Sequence, residues 1–554
     1  MPTASLKIPT MSLVGLRRAI ERFIYNRKRS PLEYMVLATV AAFLSALIRY
    51  PDRAIFTRAR PDLKNNTPPG YPLLGHLPTL LRRPEDPYNT LHQGMRYFGN
   101  KMSMTLPIIG RMIIVNDAAS MEYILKTNME NYIKGRVFAF NMSDLLGRGI
   151  FVSDGQKWKF HRKTASNIFT TRLYRELVQG AFKRSALELG AAFERYMDRG
   201  QLIDLQNEFL KLTLDAFGRL TFGLEFNAVS TEGTNEFGDA FDFMTAMIDM
   251  RVQNPFWFIT DRFVPGRTGR IREAIATIDR YAAKAIQSRR AETPVAREQR
   301  PKDLLDHFIN YQNDDGTMLS DVDLRDVFTN FMIAGRDTTA QGLTWAFYLL
   351  MTHPRVMANL LQEVMAVCGD NVEGLTYEMV TQDMPYAKAV FYETLRLYPP
   401  VPKNGKEAVD EDVLPDGTRV FKGDILVYSN YTLGRNLTLW GVDAERFYPE
   451  RWLKEQDEEM VVVEEVDGKG RSPFGKFKNE STFKFNSFNA GPRICLGQTF
   501  ATLEALVTMA YLVRRYEFRM APDHPIALPK PSVTLPMQQP LLVQVSRRGD
   551  VVCL

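Results

Sequence analysis

Apolar residues recur at helical spacing between residues 320 and 353. The stripe consists of Leu324, Val327, Phe328 and Phe331 and resumes with Leu343, Phe347 and Leu350. Ser320 is a suitable N-cap, and His353-Pro354 is a stop signal. The pattern predicts one helix from Ser320 to His353, about 50 Å long.

Shorter β-prone runs predict small sheets beside this helix. Met102 to Leu106 and Met112 to Val115 flank a turn, and Val413 to Val420 contains the turn signal Asp416-Gly417. Most of the remaining chain has helical periodicity without fixed-period repeats. The predicted fold class is therefore mainly α with small β-sheets (α+β).

The first 50 residues predict a membrane anchor. Residues 34–48 carry no charge and would form a helix of roughly 22 Å, which is short for a bilayer core of ~30 Å unless Glu33 and Arg49 snorkel. A buried core helix is the alternative. An interfacial helix is predicted before it from one apolar face: Leu13, Leu16, Ile20, Phe23 and Ile24. Basic residues flank both sides, so charge does not decide the topology.

Proline content predicts how the anchor joins the body. Pro68, Pro69, Pro72 and Pro78 indicate a stiff, extended lead, and no comparable linker follows. The expected organisation is an anchor region at 1–50, a hinge at 51–78 and one large domain at 79–554.

Composition excludes several classes of function. Lys plus Arg is 70 against Asp plus Glu at 64, and the resulting net charge of +6 gives no reason to expect nucleic-acid binding. Three cysteines and six histidines, with no histidine pair at i, i+4, exclude a disulfide framework and a His-rich metal centre. The strongly charged stretch at 455–479 predicts a solvated insertion.

A glycine-bracketed cysteine loop carries the strongest chemical signal. In residues 488–497, FNAGPRICLG, Cys495 precedes a helical run, and backbone N–H groups there can hold its sulfur as a thiolate ligand. Gly491 and Gly497 permit backbone that a Cβ would block, and Arg493 supplies a cation. A lone cysteine in a core is the structural alternative.

This loop resembles the haem-binding loop of the cytochrome P450 monooxygenases at Phe488, Gly491, Arg493, Cys495 and Gly497. The resemblance spans about residues 68–545 and implies a single large cytochrome P450 fold with haem b. In that family a cysteine thiolate ligates the iron, which assigns Cys495 as axial ligand and Phe488 and Arg493 to the cofactor site.

The long helix contains a second part of the resemblance, Ala334-Gly335-Arg336-Asp337-Thr338-Thr339. Gly335 and Ala334 would leave room for a flat cofactor. If its hydroxyl is free of the usual i−4 bond, Thr338 can hold a water, with Asp337 beside it as proton source. A structural Thr-Thr pair is the alternative.

Two further motifs complete the resemblance. Glu393 and Arg396, with Arg451, match the family's buried network that supports the cysteine loop; an exposed pair of little value is the alternative. Trp158 and Arg162 match the pair that hydrogen-bonds a haem propionate, since both donate to carboxylates.

Several strings resemble the fungal and plant fatty-acid and alkane ω-hydroxylase group, among them residues 145–151, 398–402 and 483–485. Ala334 replaces the glutamate that esterifies the haem in animal relatives, which implies non-covalent haem. Arg136 is expected to meet a substrate carboxylate. The expected pocket residues are Phe138, Phe140, Met142, Leu145, Phe331, Ala334, Val401, Leu535 and Met537.

The resemblance also implies partners and a location. Electrons are expected from NADPH through a separate NADPH-cytochrome P450 reductase, with cytochrome b5 as a further donor and O2 as co-substrate. Three lysines, Lys157, Lys159 and Lys163, are candidates for docking the reductase. The expected location is the endoplasmic reticulum membrane, with a single-pass anchor, a cytosolic catalytic domain and substrate taken from the lipid phase. Sterol, terpenoid or xenobiotic hydroxylation is the nearest alternative, and an isomerase or sensor is a further one.

Overall fold

The computed structural model describes residues 30–549 except 83–84, 232, 234, 301, 312–317 and 455–471. Its helices are α1 Pro31–Arg49, α2 Leu77–Leu80, α3 Pro87–Phe98, α4 Ala118–Glu122, α5 Gly135–Leu146, α6 Gly155–Ser166, α7 Thr171–Glu176, α8 Lys183–Asp198, α9 Leu205–Phe222, α10 Glu236–Gln253, α11 Trp257–Phe263, α12 Arg267–Arg290, α13 Pro294–Glu298, α14 Leu304–Ile309, α15 Asp321–Thr352, α16 Pro354–Cys368, α17 Pro385–Leu397, α18 Asn430–Leu433, α19 Leu437–Trp440 and α20 Gln498–Arg515. The mainly α fold class is confirmed.

The predicted long helix is present as α15. The Ser320 side chain accepts a hydrogen bond from Asp323 N at its start, and His353 ends it. Nearly all side chains from Asp326 to Phe347 are buried. α15 contacts α9, α12, α17 and α20, so it is the central element of the main hydrophobic core.

Small sheets lie beside the helices. The strands are β1 Lys101–Leu106, β2 Gly110–Val115, β3 Tyr132–Ile133, β4 Ile203–Asp204, β5 Asn404–Ala408, β6 Asp412–Val413, β7 Arg419–Val420, β8 Ile425–Tyr428, β9 Tyr516–Met520 and β10 Leu542–Arg547. They form sheets with the orders β1-β2-β8-β5-β3, β4-β10-β9 and β6-β7. The predicted hairpin pairs Lys101 with Val115, and the Asp416-Gly417 turn joins β6 to β7.

Helix α1 extends the predicted apolar run at both ends. Its 19 residues, about 28 Å at the helical rise, begin with Pro31 and a capping box between Ser30 and Glu33. It has a mean hydropathy of 1.8 and none of it is buried, so it is long and apolar enough to cross a membrane and does not belong to the core. The predicted interfacial helix and the charged insertion at 455–471 lie outside the described residues.

The proline-rich segment after α1 is folded onto the body, which differs from the predicted extended lead. Ala54 N donates to Thr105 Oγ1 at 3.0 Å, and His76 N donates to the carbonyl oxygen of Thr105 at 2.9 Å. Leu63 is buried in the smaller core beside β2 and β8. Apolar side chains and free backbone groups are satisfied by packing, which outweighs the stiffness that proline gives an isolated chain.

Candidate functional site

The cysteine loop has the shape that its glycines allow. Gly491 has φ +63°, and a Cβ there would lie 2.1 Å from the carbonyl oxygen of Leu125. A 3-10 turn, Gly491–Arg493, follows, and Cys495 N donates to the carbonyl oxygen of Phe488 at 2.8 Å. Helix α20 begins at Gln498, so the cysteine lies just before a helix N-terminus.

The Cys495 thiol is exposed, yet it is surrounded by protein. Burial raises the pKa of this thiol, while the backbone N–H of Gly497 and the positive charge of Arg162 lower it. A side chain that is accessible and also desolvated faces an enclosed opening and not the outer surface. Such a thiol can ligate a metal, because its sulfur is uncovered and N–H donors are directed at it.

Helix α6 and the cysteine loop meet through Trp158, Arg162 and Arg493. Arg162 Nη1 donates to the carbonyl oxygen of Ile494 at 2.6 Å. The Arg493 guanidinium lies 4.4 Å from the centre of the Trp158 ring and donates to Asp154 Oδ1 at 2.6 Å. The structure thus places all three predicted propionate-site residues beside the cysteine.

Two lysines that sequence reasoning missed join this cluster. The Lys406 Nζ is buried without a hydrogen-bond partner among the described residues, and burial lowers its pKa far below the usual value. Burial, together with the positive charge of Arg493, lowers the pKa of Lys134 to about 8. The structure shows that Lys406 and Ala408 of β5 are both buried, but the string Asn404–Ala408 has no apolar alternation from which sequence reasoning could have predicted this.

This cluster fits the cofactor that the resemblance implies. Lys134, Lys406 and Arg493 lie around the single carboxylate of Asp154, so two positive charges would be in excess if all three were protonated, and burial with mutual repulsion lowers the pKa of Lys406 instead. An uncompensated buried cation is costly, and haem carries two propionate carboxylates that would supply the missing charges. An uncovered thiol beside an anion-seeking cluster is what an iron porphyrin requires of a protein.

One face of α15 carries a second group of predicted site residues. Between Asp326 and Phe347, Ala334 and Thr338 alone among the described side chains are partly exposed, and they lie one turn apart. Thr338 Oγ1 donates to the carbonyl oxygen of Ala334 at 2.6 Å, so the prediction that this hydroxyl avoids the i−4 bond is wrong. In a helix interior that carbonyl is the nearest acceptor. The oxygen of the hydroxyl can still accept a hydrogen bond.

Asp337 points away from this face. It is 3% exposed, and Arg336 Nη1 donates to its Oδ1 at 2.9 Å. Burial raises the pKa of Asp337 to about 6, although Arg336 counteracts this. The carboxyl group can therefore hold a proton near neutral pH, one residue away from Thr338.

Gly335 does not face the cofactor side. A Cβ at this position would lie 2.1 Å from the ring of Phe217 on α9, so the glycine permits close helix packing. The prediction that Gly335 leaves room for the cofactor is corrected on this ground, since consecutive helical residues diverge by about 100°. Ala334 occupies the face that was expected.

The carboxylate of Glu393 is fully enclosed by donors. Arg396 donates to both of its oxygens at 2.7 Å, Arg451 Nε donates at 2.9 Å and Trp452 Nε1 donates at 2.9 Å. Arg396 also reaches the carbonyl oxygens of Ala444 and Arg446. The network joins α17 to the turn Pro449–Trp452, and Ser487 Oγ donates to Leu395 O, which connects α17 with the segment before the cysteine.

The predicted substrate residues divide into three groups. Phe138, Ala334 and Val401 are partly exposed, while Leu145 and Leu535 are 0% exposed, so no ligand can touch them in this structure. Three others are nearly closed off, with exposures of 7% for Phe331, 3% for Met142 and 2% for Met537. The prediction is wrong for Leu145 and Leu535, because both pack entirely against protein.

One predicted pocket residue and the predicted partner of the substrate carboxylate lie on the outer surface. Phe140 is 52% exposed and packs against Trp257 with a centroid distance of 4.8 Å, so it belongs to a surface aromatic group. Arg136 has 94% of its side chain exposed, and its Nε lies 3.7 Å from Glu407. Both predictions are corrected, because a helical face alone does not tell whether a residue faces inward.

Two of the three candidate docking lysines have acidic partners. Lys157 Nζ lies 3.1 Å from Asp323, and Lys159 Nζ lies 3.6 Å from Glu130. Lys163 is exposed in the last turn of α6. The positive charge expected from these three lysines is therefore partly neutralised by acidic neighbours.

Comparison with known proteins adds evidence independent of this geometry. The family model described as Cytochrome P450 matches residues 66–545. The chain is 33% identical to cytochrome P450 monooxygenase cyp1 of Mycosarcoma maydis, over 95% of this chain and 82% of that protein. It is 32% identical to cytochrome P450 704B1 of Arabidopsis thaliana, over 83% and 92%, and 33% identical to cytochrome P450 86B1 of the same plant, over 79% and 77%.

Proposed function

The chain belongs to the cytochrome P450 family and is therefore a haem-dependent monooxygenase that uses O2, an electron donor and a small-molecule substrate, and from this premise we propose that it hydroxylates long-chain fatty acids or alkanes at or near the terminal methyl group. The observation that carries the substrate class is the resemblance of its motif strings to the ω-hydroxylase group. The exposed apolar helix α1 supports access to lipid-phase substrates.

Haem would supply the reducible iron at which dioxygen is activated. Cys495 would hold it from one side through its sulfur. Lys134, Lys406 and Arg493 would bind its carboxylates, with Trp158 and Arg162 bracing the loop and α6 around it. The Glu393 network would keep α17 and the cysteine loop in register without touching substrate.

Thr338 and Asp337 would transfer protons during the reaction. The Thr338 hydroxyl, fixed by its bond to Ala334 O, presents its oxygen to a water or to dioxygen on the half-exposed face of α15. Burial raises the pKa of Asp337 to about 6, so this carboxyl group is protonated near neutral pH far more often than an ordinary aspartate, although the ionised form prevails at pH 7. Because Asp337 points away from the face of Thr338, its side chain would have to rotate toward a water at Thr338 to deliver that proton, and Arg336 would stabilise the carboxylate that remains.

A cation inside the domain supports a substrate with an acidic head group. Lys403, two residues after Val401, is only partly exposed, and burial lowers the pKa of its amine. Its Nζ lies 5.8 Å from the Tyr88 ring centre, and Asp249 is near enough to raise the pKa of the amine in part, although Lys403 has no ion pair or hydrogen bond among the described residues. A substrate carboxylate would relieve its desolvation cost, which Arg136 on the surface does not offer.

A ligand panel tests the substrate class. Fatty acids, alkanes of matched length, sterols, terpenes and drug-like xenobiotics would be scored for the low-spin to high-spin shift of the full-length haem protein and for hydroxylated product. We expect terminal hydroxylation of the acids, and Lys403→Met should weaken acid binding about tenfold while leaving alkane binding unchanged. Hydroxylation of a sterol, terpene or xenobiotic with no product from acids or alkanes contradicts the proposal.

The electron source and the location belong to the same proposal. Electrons would come from NADPH through a separate NADPH-cytochrome P450 reductase, with cytochrome b5 as a further donor. The protein would lie in the endoplasmic reticulum membrane with its catalytic domain on the cytosolic side. Reconstitution with each donor and fractionation of a tagged full-length chain test these points.

A further inference from the structure

A buried guanidinium lies between two carboxylates at the centre of α15. Arg336 Nη1 donates to Asp337 Oδ1 at 2.9 Å and to Asp242 Oδ1 at 2.5 Å, and Nη2 donates to Asp242 Oδ2 at 3.1 Å. Arg336 and Asp337 are each 3% exposed, whereas 51% of the Asp242 side chain is exposed. Asp337 therefore shares the positive charge of Arg336 with Asp242, whose side chain is half exposed to solvent.

Asp242 lies on a different helix from the other two residues. It belongs to α10, which packs mainly against α5 and α12, while Arg336 and Asp337 belong to α15. The ion pair thus crosses between two helices that also meet through Phe237 and Phe328, whose ring centres are 5.9 Å apart. A change in how α10 lies on α15 would alter the position of the guanidinium.

Few other charges act on Asp337 among the described residues. α9 faces Arg336 with the neutral Thr213, whose Oγ1 donates to Arg336 O at 2.9 Å. On α20, Glu504 lies beside Thr339, and burial raises its pKa to about 8, which keeps it neutral at pH 7. Ionised groups on other helices packed against α15 are paired elsewhere: Asp279 of α12 with Arg325, Asp306 of α14 with Arg300, and Glu393 of α17 with Arg396.

One cation shared by two acids leaves a net negative charge in a buried place. Arg336 remains protonated because both carboxylates raise its pKa. Asp242 takes two of the guanidinium's hydrogen bonds and Asp337 takes one. The second carboxylate consequently makes ionisation of Asp337 less favourable than a simple Arg-Asp pair would.

We propose that Asp242 is a positioning residue for proton delivery: by engaging Arg336, it keeps Asp337 able to hold a proton and ties that ability to the seating of α10 on α15. The proposal rests on the proton role of Asp337 and Thr338 given above. In each cycle the O–H bond of the Asp337 carboxyl breaks, the proton passes to the water at Thr338, and Arg336 stabilises the carboxylate until solvent returns a proton.

Asp242→Asn tests the electrostatic link. Removing this charge lets Arg336 pair with Asp337 alone, so the pKa of Asp337 falls and more of it is ionised at pH 7. The pH at which peroxide release per NADPH rises should move down by about one unit, since Asp337 now loses its proton at lower pH. Asp242→Glu should restore the wild-type profile, and Asp239→Asn, an exposed acid on the same helix, should leave it unchanged.

A second measurement reads Asp337 directly. The carboxyl C=O band, obtained as the infrared difference between the wild type and Asp337→Asn, should titrate at lower pH when Asp242→Asn is present in both. Unchanged titration of the band and of peroxide release would overturn the proposal, and so would a loss of coupling equal at every pH. If the wild type forms no product from any substrate tried, the proposed function fails, but the infrared titration still decides this proposal.

Discussion

At the scale of the residue, Cys495 makes the sharpest prediction. Its uncovered thiol, with the Gly497 N–H and Arg162 nearby, suits thiolate ligation of iron. The reduced protein with carbon monoxide should show the red-shifted Soret band of a thiolate ligand, and Cys495→Ala should lose it. Cys368→Ala, which changes the partly buried cysteine of α16, is the matched control and should keep the band. A normal band in Cys495→Ala would refute the assignment.

Replacing Lys406 should stabilise the haem-free protein and weaken the binding of haem. The buried Lys406 amine, without a hydrogen-bond partner among the described residues, destabilises the cofactor-free chain, whereas a propionate would stabilise its protonated form. Lys406→Met should therefore raise the melting temperature of the haem-free protein and speed haem transfer to an acceptor protein about tenfold or more. Lys422→Met, at a lysine whose side chain is 74% exposed, serves as control. Haem transfer at the wild-type rate would exclude the propionate role.

At the scale of the element, the Glu393 network explains how α17 is fastened. Glu393→Gln leaves Arg396 without its carboxylate inside the protein and removes one of the two carboxylates of Arg451, which keeps Asp443. Breaking such a buried network should lower the free energy of unfolding by about 3–5 kcal/mol, measured from urea unfolding of the detergent-solubilised full chain. The control Glu122→Gln removes an i,i+4 pair with Lys126 in which both side chains are about half exposed, and it should cost under about 1 kcal/mol. Equal midpoints for the two variants would contradict this account.

Helix α1 carries its own prediction at the same scale. Since it is unburied and apolar, removing residues 1–50 should release much of the protein from membranes. Haem binding should persist, because the site residues lie between Lys134 and Gly497. The packed segment that follows α1, including Leu63, should keep the body intact. Full retention of the truncated protein on membranes, measured by sedimentation, would show that α1 is not the main anchor.

At the scale of the whole molecule, the positive charge on the proposed reductase-docking surface is smaller than the sequence indicates. Lys157 and Lys159 have acidic neighbours, so Lys163 should contribute most to steering an acidic partner. Lys163→Glu should slow reduction severalfold at low salt and have little effect at high salt, as stopped-flow measurements would show. Lys422→Glu, remote in sequence and similarly exposed, should change neither. A salt-independent effect would indicate altered folding of α6 instead.

Short-range sequence signals were sufficient to predict the secondary-structure elements and the motif residues. The helical stripe with Ser320 and His353 at its ends predicted α15 within a residue at each end, because capping and stop signals act over one turn. The sequence also predicted the cysteine loop, and Gly491 needs its backbone freedom there, whereas the prediction that a Cβ is blocked at Gly497 is wrong because φ is −87° and the nearest atom to such a Cβ would be Cys495 Sγ at 3.9 Å. The fold class followed from the same short-range patterns.

The sequence did not show in which direction the apolar side chains face. Leu145 and Leu535 share the apolar character of true lining residues, yet both are fully enclosed by protein. Phe140 sits two positions from Phe138 and lies on the surface. Hydrophobicity reports that a side chain avoids water, but the neighbouring element decides whether protein, ligand or membrane replaces it.

The sequence by itself determined which elements form and which residues could carry the chemistry, because both depend on neighbours a few positions apart. Only the tertiary structure decided what those residues meet: Gly335 against Phe217, Asp337 against Arg336 and Asp242, and Lys406 among other cations. These partners are separated by many residues along the chain. Charge, desolvation and contact act through space, so the pKa of Asp337 and the orphaned amine of Lys406 arise only when distant segments pack together.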